Sequence, residues 1–234
     1  MDSRWQPAAV RAFELFFRPW RDARIRTRLA GLPARLPPDV PLLLAANHVS
    51  WWDPFTLREV QRARRPGAPF FTVMLEAELA RRPFFRRMGV VGLDPASPAS
   101  LRACIRQLRR LLYAHPDGSI CFFPQGRIWP SFKRPLAFRP GIGLLARELA
   151  PLVVLPIGLH VEPLSATRPT VFASAAQPMR VDDRLDPADV ESVVERELDA
   201  IHAFLSRHGE DAPRHWPGPH GRLPAAPAPA EAVP

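Results

Sequence analysis

A histidine and an aspartate follow the first long apolar run of the chain, with four residues between them. The run, residues 42–46, has the composition of a buried strand, and His48 and Asp53 come directly after it. A histidine at the end of a strand lies where loops carry chemistry, and a nearby carboxylate can bond one ring nitrogen and leave the other basic. The pair suits general-base activation of a hydroxyl group. Asp53 followed by Pro54 is also typical of a helix start, with aspartate as N-cap, so a structural role stays open.

A second apolar run, residues 120–123, ends in an amide, a glycine and a cation. These are Gln125, Gly126 and Arg127. Glycine lets a ligand approach the backbone closely, and arginine can bind an anion through two parallel hydrogen bonds. The set fits the phosphate of an acceptor or of an acyl carrier. The alternative is a surface turn with a solvated arginine.

Together the two segments resemble the glycerophospholipid acyltransferase family, whose lysophosphatidic acid acyltransferases carry Asn-His-x-x-x-x-Asp and later Phe-Pro-Glu-Gly-Thr-Arg. Residues 47–53 match the first motif completely. Residues 77–94 resemble the family's middle block, and residues 138–141 and 152–159 resemble its last two landmarks. Four blocks in the family's order make the resemblance far more specific than either motif alone.

The resemblance implies transfer of an acyl group from a thioester of coenzyme A or acyl carrier protein to a lipid hydroxyl, without an acyl-enzyme intermediate or a cofactor. His48 would be the general base, and Asp53 would bond the far imidazole nitrogen. The expected acceptor is lysophosphatidate, 1-acyl-glycerol 3-phosphate. Four residues would bind the acceptor and its phosphate: Gln125, Gly126, Arg127 and Arg139.

Three departures from the family pattern bear on the acceptor. Gln125 replaces the family's glutamate, Arg127 stands one position early, and Asp94 is followed by Pro95 where the family often has arginine. Cations expected to hold an acceptor phosphate are therefore moved or missing. Three others could compensate: Lys133, Arg134 and Arg139. Equally, the acceptor could be a hydroxylated or glycosylated lipid without a phosphate at this place.

Other functions remain open on the sequence. Ser50 near His48 suggests a Ser-His hydrolase, although the chain has no Gly-x-Ser-x-Gly elbow. A catalytically silent homologue could use its basic faces to bind a membrane or nucleic acid, although no nucleic-acid module signature occurs and we expect no nucleic-acid partner. A third possibility is acyl exchange between lipids without coenzyme A.

The charge and the N-terminal pattern predict a protein at an anionic surface. The 234 residues carry 32 basic and 23 acidic side chains, a net charge of +9. Apolar residues such as Phe13, Phe16 and Trp20 recur at helical spacing, which predicts an amphipathic helix that lies on a membrane or folds onto the core. Pro19 predicts a kink or two short helices. The apolar runs are too short for a membrane span and the opening stretch is unlike a secretory signal, so we expect a peripheral protein on the cytoplasmic face of a membrane.

Alternating strand and helix patterns predict a single α/β domain with a mixed, mostly parallel sheet flanked by helices. We place the N-terminal amphipathic segment at residues 1–37, the acyltransferase domain at 38–210 and a disordered Pro/Ala-rich tail at 211–234. The two cysteines, Cys104 and Cys121, have no metal or redox spacing, and no metal site is expected.

Overall fold

Strands alternate with helices along residues 2–226, the part of the chain that this computed structural model describes. The strands are β1 (Arg26–Ala30), β2 (Leu42–Ala46), β3 (Phe70–Leu75), β4 (Val90–Leu93), β5 (Ser119–Phe122), β6 (Leu152–Glu162), β7 (Thr170–Ala175) and β8 (Met179–Val181). The helices are α1 (Pro7–Asp22), α2 (Asp53–Arg64), α3 (Glu76–Arg81), α4 (Pro98–Ala114), α5 (Gly141–Leu149), α6 (Pro187–His208) and α7 (Ala212–His215), with 3₁₀ turns at Pro83–Arg87 and Gly209–Asp211.

The eight strands within residues 2–226 form one sheet in the order β1-β7-β6-β2-β5-β3-β4, with β8 also paired to β6. Strand β2 runs parallel to both of its neighbours, β5 and β6. The antiparallel pairs are β6 with β7 and β6 with β8. The predicted α/β class with a mixed, mostly parallel sheet is therefore confirmed.

Strand β2 is buried along its whole length because helices cover both faces of the sheet. Its side chains alternate between two hydrophobic clusters. Leu43 and Ala45 pack with residues of α4, α5 and α6. Leu42, Leu44 and Ala46 pack on the other face with residues of α2. This two-sided burial explains why β2 reads as a continuous apolar run, and it fixes the point where the chain leaves the sheet.

Parallel pairing brings the ends of β2 and β5 to the same edge. Leu44 lies opposite Cys121 and Ala45 opposite Phe122, so the two strands end almost level. The loop with His48 and the loop with Gln125 therefore begin side by side, as expected for the carboxyl edge of an α/β sheet.

Helix α1 folds onto the domain as one helix that continues through Pro19, so two separate short helices are not present. The ring of Phe17 lies 4.2 Å from Phe55 of α2 and 6.2 Å from Trp51, between ring centroids. On another side of the helix, Leu15 and Phe16 are 82% and 79% exposed. Among the helices of residues 2–226, none is long and apolar enough to cross a membrane.

Strands β1 and β8 were not expected from the sequence. β1 has arginine at two of its five positions and pairs on one side only, so it lacks the apolar run of a central strand. β8 has only three residues. Neither carries the hydrophobic periodicity on which sequence assignment depends.

The first residues of the predicted tail pack against the domain. Ala212 and Trp216 are buried in a hydrophobic cluster with Phe172 and Phe204. The backbone carbonyl of Gly221 accepts a hydrogen bond from Gly31 at 2.8 Å. The disordered tail predicted at 211–234 therefore cannot begin at 211, because a buried tryptophan holds this segment. Residues 227–234 of the prediction lie outside the described part of the chain.

Candidate active site

His48 and Asp53 form a hydrogen-bonded pair at the end of β2. The distance from His48 Nδ1 to Asp53 Oδ2 is 2.7 Å. The Asp53 side chain is fully buried, whereas 19% of the His48 side chain is exposed. A carboxylate only accepts hydrogen bonds, so the Nδ1 proton is assigned to the imidazole and Nε2 is left as the basic nitrogen.

The Asp53 carboxylate also holds the loop between the two residues. Its Oδ2 accepts hydrogen bonds from the backbone N–H groups of Val49 at 2.6 Å and Ser50 at 2.9 Å. Asp53 is the first residue of α2, and its side chain makes no capping hydrogen bond to that helix. The N-cap interpretation is therefore wrong, because the carboxylate is turned toward the histidine loop.

Ser50 is not placed as a nucleophile. Its Oγ donates to Asp53 Oδ1 at 2.5 Å and accepts from the backbone N–H of Trp52 at 3.2 Å. No hydrogen bond joins it to His48 among the described residues. A Ser-His hydrolase needs that hydrogen bond, so the arrangement does not support this alternative.

Asn47 fixes the backbone immediately before His48. Its side-chain amide donates to the carbonyl of Leu159 at 2.9 Å and accepts from the N–H of Leu159 at 2.7 Å. The side chain is 1% exposed and continues the pairing between β2 and β6 beyond the last strand residue. The first motif therefore contains an anchor as well as the candidate base.

Gln125 joins the two loops at the sheet edge. Its Oε1 accepts from the backbone N–H of His48 at 2.7 Å, and its Nε2 donates to the carbonyl of Leu136 at 3.0 Å. The side chain is 4% exposed and is not part of the lining of the neighbouring cavity. Gln125 is predicted to bind the acceptor, but the structure places it in the position of a residue that holds the His48 loop.

Phe123 stacks on the imidazole of His48. The ring centroids are 4.1 Å apart and the planes differ by 13°. The carbonyl of His48 accepts from the N–H of Trp129 at 2.8 Å, so the histidine is contacted by the first residue of the second motif, residues 123–128, and by the residue after it. No described residue bonds His48 Nε2, which is available to a substrate hydroxyl.

A cavity of about 810 Å³ lies beside His48. It is bounded by α1, α2 and the carboxyl ends of β3 and β5. Its volume falls in the range of ligand sites in proteins, roughly 300–1,000 Å³. Much of the wall is apolar and includes Phe13, Phe17, Phe55, Phe85 and Met88. A cavity with this lining can hold a fatty acyl chain.

Three of the predicted acceptor residues meet at this cavity. Gly126, Arg127 and Arg139 all line it. Gly126 has φ of +71°, a backbone conformation that favours glycine, and the side chain of Arg139 lies beside it. The guanidinium of Arg127 lies over the ring of Trp129 at 4.2 Å. The backbone N–H of Gly126 donates to the carbonyl of Phe123. It is therefore not free to stabilise the oxyanion that forms during acyl transfer.

The other two compensating cations point elsewhere. Arg134 forms an ion pair with Asp199 at 2.5 Å. The ammonium of Lys133 lies 5.0 Å from the centre of the Trp129 ring. Neither lines the cavity, whereas Arg139 does. Of the three, only Arg139 is placed to contact a ligand there.

Both cysteines belong to the core rather than to the site. Cys104 and Cys121 are buried free thiols, and burial raises the pKa of Cys104 to about 12. Among residues 2–226, no group of histidine, cysteine and carboxylate side chains could hold a metal ion.

Sequence reasoning missed the α1 side of the site. Helix α1 contributes Phe13, Phe17 and Arg18 to the cavity wall. Their helical spacing was visible, but the spacing does not say which surface an amphipathic helix covers. The hydrogen-bonding role of Gln125 had no sequence signal, because its partner Leu136 lies eleven residues away in an irregular loop.

The family comparison covers the loops described above. The Acyltransferase family model matches residues 31–160, more than half of the chain. The matched range includes His48, Asp53 and the second motif, and it excludes α1. No curated protein sequence matches the chain.

Proposed function

Because the chain belongs to the Acyltransferase family, we propose that it transfers a fatty acyl group from a thioester of coenzyme A or acyl carrier protein to a hydroxyl group of a lipid. The observation that carries the proposal is the His48–Asp53 pair, 2.7 Å apart, at the wall of a largely apolar cavity. The pair supplies a base, and the cavity supplies room for the acyl chain.

In this mechanism the acceptor hydroxyl lies against His48 Nε2. The imidazole takes the hydroxyl proton while the oxygen attacks the thioester carbonyl carbon, and Asp53 stabilises the imidazolium that forms. Collapse of the tetrahedral intermediate breaks the C–S bond, and the imidazolium returns the proton to the departing thiolate. The products are an ester and a free thiol. General-base catalysis contributes about 10²–10⁴-fold, so substrate positioning supplies much of the remainder.

Lysophosphatidate is the acceptor that the charges beside His48 support. Arg139 lines the cavity next to the open face of Gly126, and it has no acidic partner among the described residues. Arg127 lines the same cavity. A guanidinium binds phosphate through parallel hydrogen bonds, which suits an acceptor with a phosphomonoester.

An uncharged lipid alcohol is the second candidate acceptor. Its support is the loop after β4, where Pro95 lines the cavity at the position at which the family often has arginine. A hydroxylated or glycosylated lipid needs no cation at this place.

Thiol release by the purified chain separates these acceptors. Acyl-coenzyme A and acyl carrier protein are compared as donors, each with lysophosphatidate, monoacylglycerol or no acceptor. We expect release that depends on lysophosphatidate. Release only with monoacylglycerol would assign the second acceptor class, and no release with any pair would contradict acyl transfer from these donors.

A further inference from the structure

Seven arginines of residues 2–226 line the cavity, and most of them are neutralised by acidic partners. Arg21 pairs with Glu59 at 2.6 Å, and Arg58 pairs with Glu14 at 2.9 Å. The other paired members are Arg62, with Glu14 and Glu59, and Arg82, with Glu78. Arg21, Arg58 and Arg62 join α1 to α2, whereas Arg82 pairs within the end of α3, and all four carry little free positive charge for a ligand.

The remaining three arginines have no acidic partner within residues 2–226. They are Arg18, Arg127 and Arg139. All three are exposed at the cavity. Arg127 and Arg139 belong to the region that the family model matches, but Arg18 lies in α1, outside that region.

Arg18 belongs to the half of α1 that contacts the loop after His48. The first half of the helix contacts the far end, where Phe13 lies 5.8 Å from Phe85 between ring centroids. The second half contacts the loop that follows His48. Phe17 lies 6.2 Å from Trp51 and Trp20 lies 5.4 Å from Trp52, also between ring centroids. Arg18 is therefore the neighbour in the chain of Phe17, which contacts the loop after His48.

We propose that Arg18 binds the phosphate of the lipid acceptor together with Arg139 and Arg127. The inference rests on the proposed acyl transfer and names a residue of the same site. The loop after β4 offers no cation to this cavity, because Pro95, Ala96 and Ser97 line it there. Arg18 of α1 supplies the positive charge that the loop after β4 does not.

The test is equilibrium binding of lysophosphatidate by calorimetry, in a His48→Ala background so that turnover does not interfere. A short-chain lysophosphatidate below its micelle concentration keeps bilayer effects out. A hydrogen bond to a charged group implies that Arg18→Gln raises the Kd by ~10–100-fold, and Arg18→Lys should restore part of the loss. Arg11→Gln is the matched control, because Arg11 is an exposed arginine of α1 that does not line the cavity.

Coenzyme A also carries phosphate groups, so binding of acyl-coenzyme A is measured with the same variants. Weaker binding of lysophosphatidate, with unchanged binding of acyl-coenzyme A, supports the assignment. Weaker binding of acyl-coenzyme A alone would overturn it and place Arg18 on the donor. Equal binding of lysophosphatidate by the parent and Arg18→Gln would also overturn it, as would a parent that binds no lysophosphatidate.

Turnover of the His48-containing chain, measured in parallel, keeps this claim apart from the proposed function. A chain that transfers no acyl group but loses lysophosphatidate binding on Arg18→Gln would contradict the proposed function and leave the phosphate site standing. A chain that transfers acyl groups to lysophosphatidate with the same KM in Arg18→Gln would contradict the phosphate site alone.

Discussion

Gln125 has an amide where the family motif has a carboxylate, and its two hydrogen bonds explain why an amide fits here. One partner, the N–H of His48, is a donor, and the other, the carbonyl of Leu136, is an acceptor. Only a side chain with both an acceptor and a donor satisfies this pair when it is buried. A glutamate would place an anionic oxygen against the Leu136 carbonyl.

Gln125→Glu should therefore lower kcat about tenfold or more near neutral pH, in line with the cost of an unsatisfied buried charge. Burial raises the pKa of a carboxyl group, and a protonated glutamate could again donate to Leu136. The loss should then shrink as the pH is lowered. The measurement is kcat against pH for both proteins, with exposed Gln177 changed to glutamate as the control. Full activity of Gln125→Glu at neutral pH would contradict the bridging role.

The hydrogen-bonded pair of His48 and Asp53 could be found from the sequence because its signal is local. His48 and Asp53 are separated by one tight loop after an apolar strand, and the loop is short enough to bring them together. Gln125 could be located but its role could not be read. An amide can bind a ligand or the backbone, and its partners lie in two separate loops.

Helix α1 has two faces with different surroundings. Phe17 lines the cavity and contacts the rings of Phe55 and Trp51. Phe16, its neighbour in the chain, is 79% exposed and does not line the cavity. The helix is therefore a wall of the candidate acyl site and also a surface.

Phe17→Ala should raise the KM for acyl-coenzyme A by ~10-fold, because truncating an aromatic wall residue removes apolar contact area from the acyl chain. Phe16→Ala is the matched control and should leave that KM unchanged with monomeric, short-chain substrates. The measurement is steady-state kinetics with donors of several chain lengths. An equal effect of both variants would show that the cavity is not the acyl site.

Two histidines share a serine where β6, α6 and the second-motif loop meet. Ser131 Oγ lies 2.6 Å from His160 Nδ1 and 3.2 Å from His202 Nε2. Burial, with smaller contributions from His160 and Arg134, lowers the pKa of His202 to about 4. Burial also lowers the pKa of His160. Both imidazoles are therefore neutral in the folded chain at neutral pH.

This cluster should make the fold less stable in mild acid. The unfolded chain takes up a proton at His202 near its ordinary pKa of about 6.5, but the folded chain does so only near pH 4. Stability is full above the higher value and is lost progressively between the two. His202→Gln should reduce the drop in Tm between neutral pH and about pH 5, whereas His220→Gln at an exposed position should not. Thermal denaturation at the two pH values gives both drops, and equal drops in the parent and His202→Gln would refute this cause.

Strands with a continuous apolar run could be located from the sequence, whereas the short strands β1 and β8 could not. β2 occupies the predicted residues 42–46. β1 and β8 owe their conformation to pairing with β7 and β6, which are distant in sequence. Pairing with other strands, rather than the local propensity of their own residues, therefore makes these two segments strands.

The whole molecule presents an apolar and basic surface beside the cavity. Leu15 and Phe16 are exposed on α1, the same helix that carries Arg11 and Arg18. Exposed apolar side chains flanked by arginines are typical of helices that lie in the interface of an anionic membrane. We expect the chain to meet its lipid substrates through this face.

A Leu15→Glu/Phe16→Glu double variant should have an affinity for anionic vesicles lower by about tenfold or more. Burial of apolar side chains in the membrane interface drives such binding. Tyr113→Glu is the control, since Tyr113 is 93% exposed on α4. Cosedimentation with vesicles measures the binding. An unchanged affinity of the double variant, or an equal loss for Tyr113→Glu, would exclude α1 as the membrane face.

The fold class and the family could be predicted for the whole molecule because four blocks in order constrain both. The position of α1 could not, since an amphipathic helix can cover a membrane or a domain. In the structure one face of α1 lines the cavity, and Leu15 and Phe16 on another face are exposed. The beginning of the tail was misplaced for a related reason, because burial of Trp216 depends on contacts with Phe172 and Phe204.

The most direct test of the central claim is acyl transfer from acyl-coenzyme A to lysophosphatidate by the wild-type chain, His48→Ala and Ser50→Ala. We predict that His48→Ala lowers kcat by ~10²–10⁴-fold while its circular dichroism and Tm stay close to those of the wild type. Ser50→Ala, which alters the same loop without removing the base, should keep most of the activity. Undiminished transfer by folded His48→Ala would contradict the account, because the carboxylates that also line the cavity, Glu14 and Glu78, are held in ion pairs with arginines.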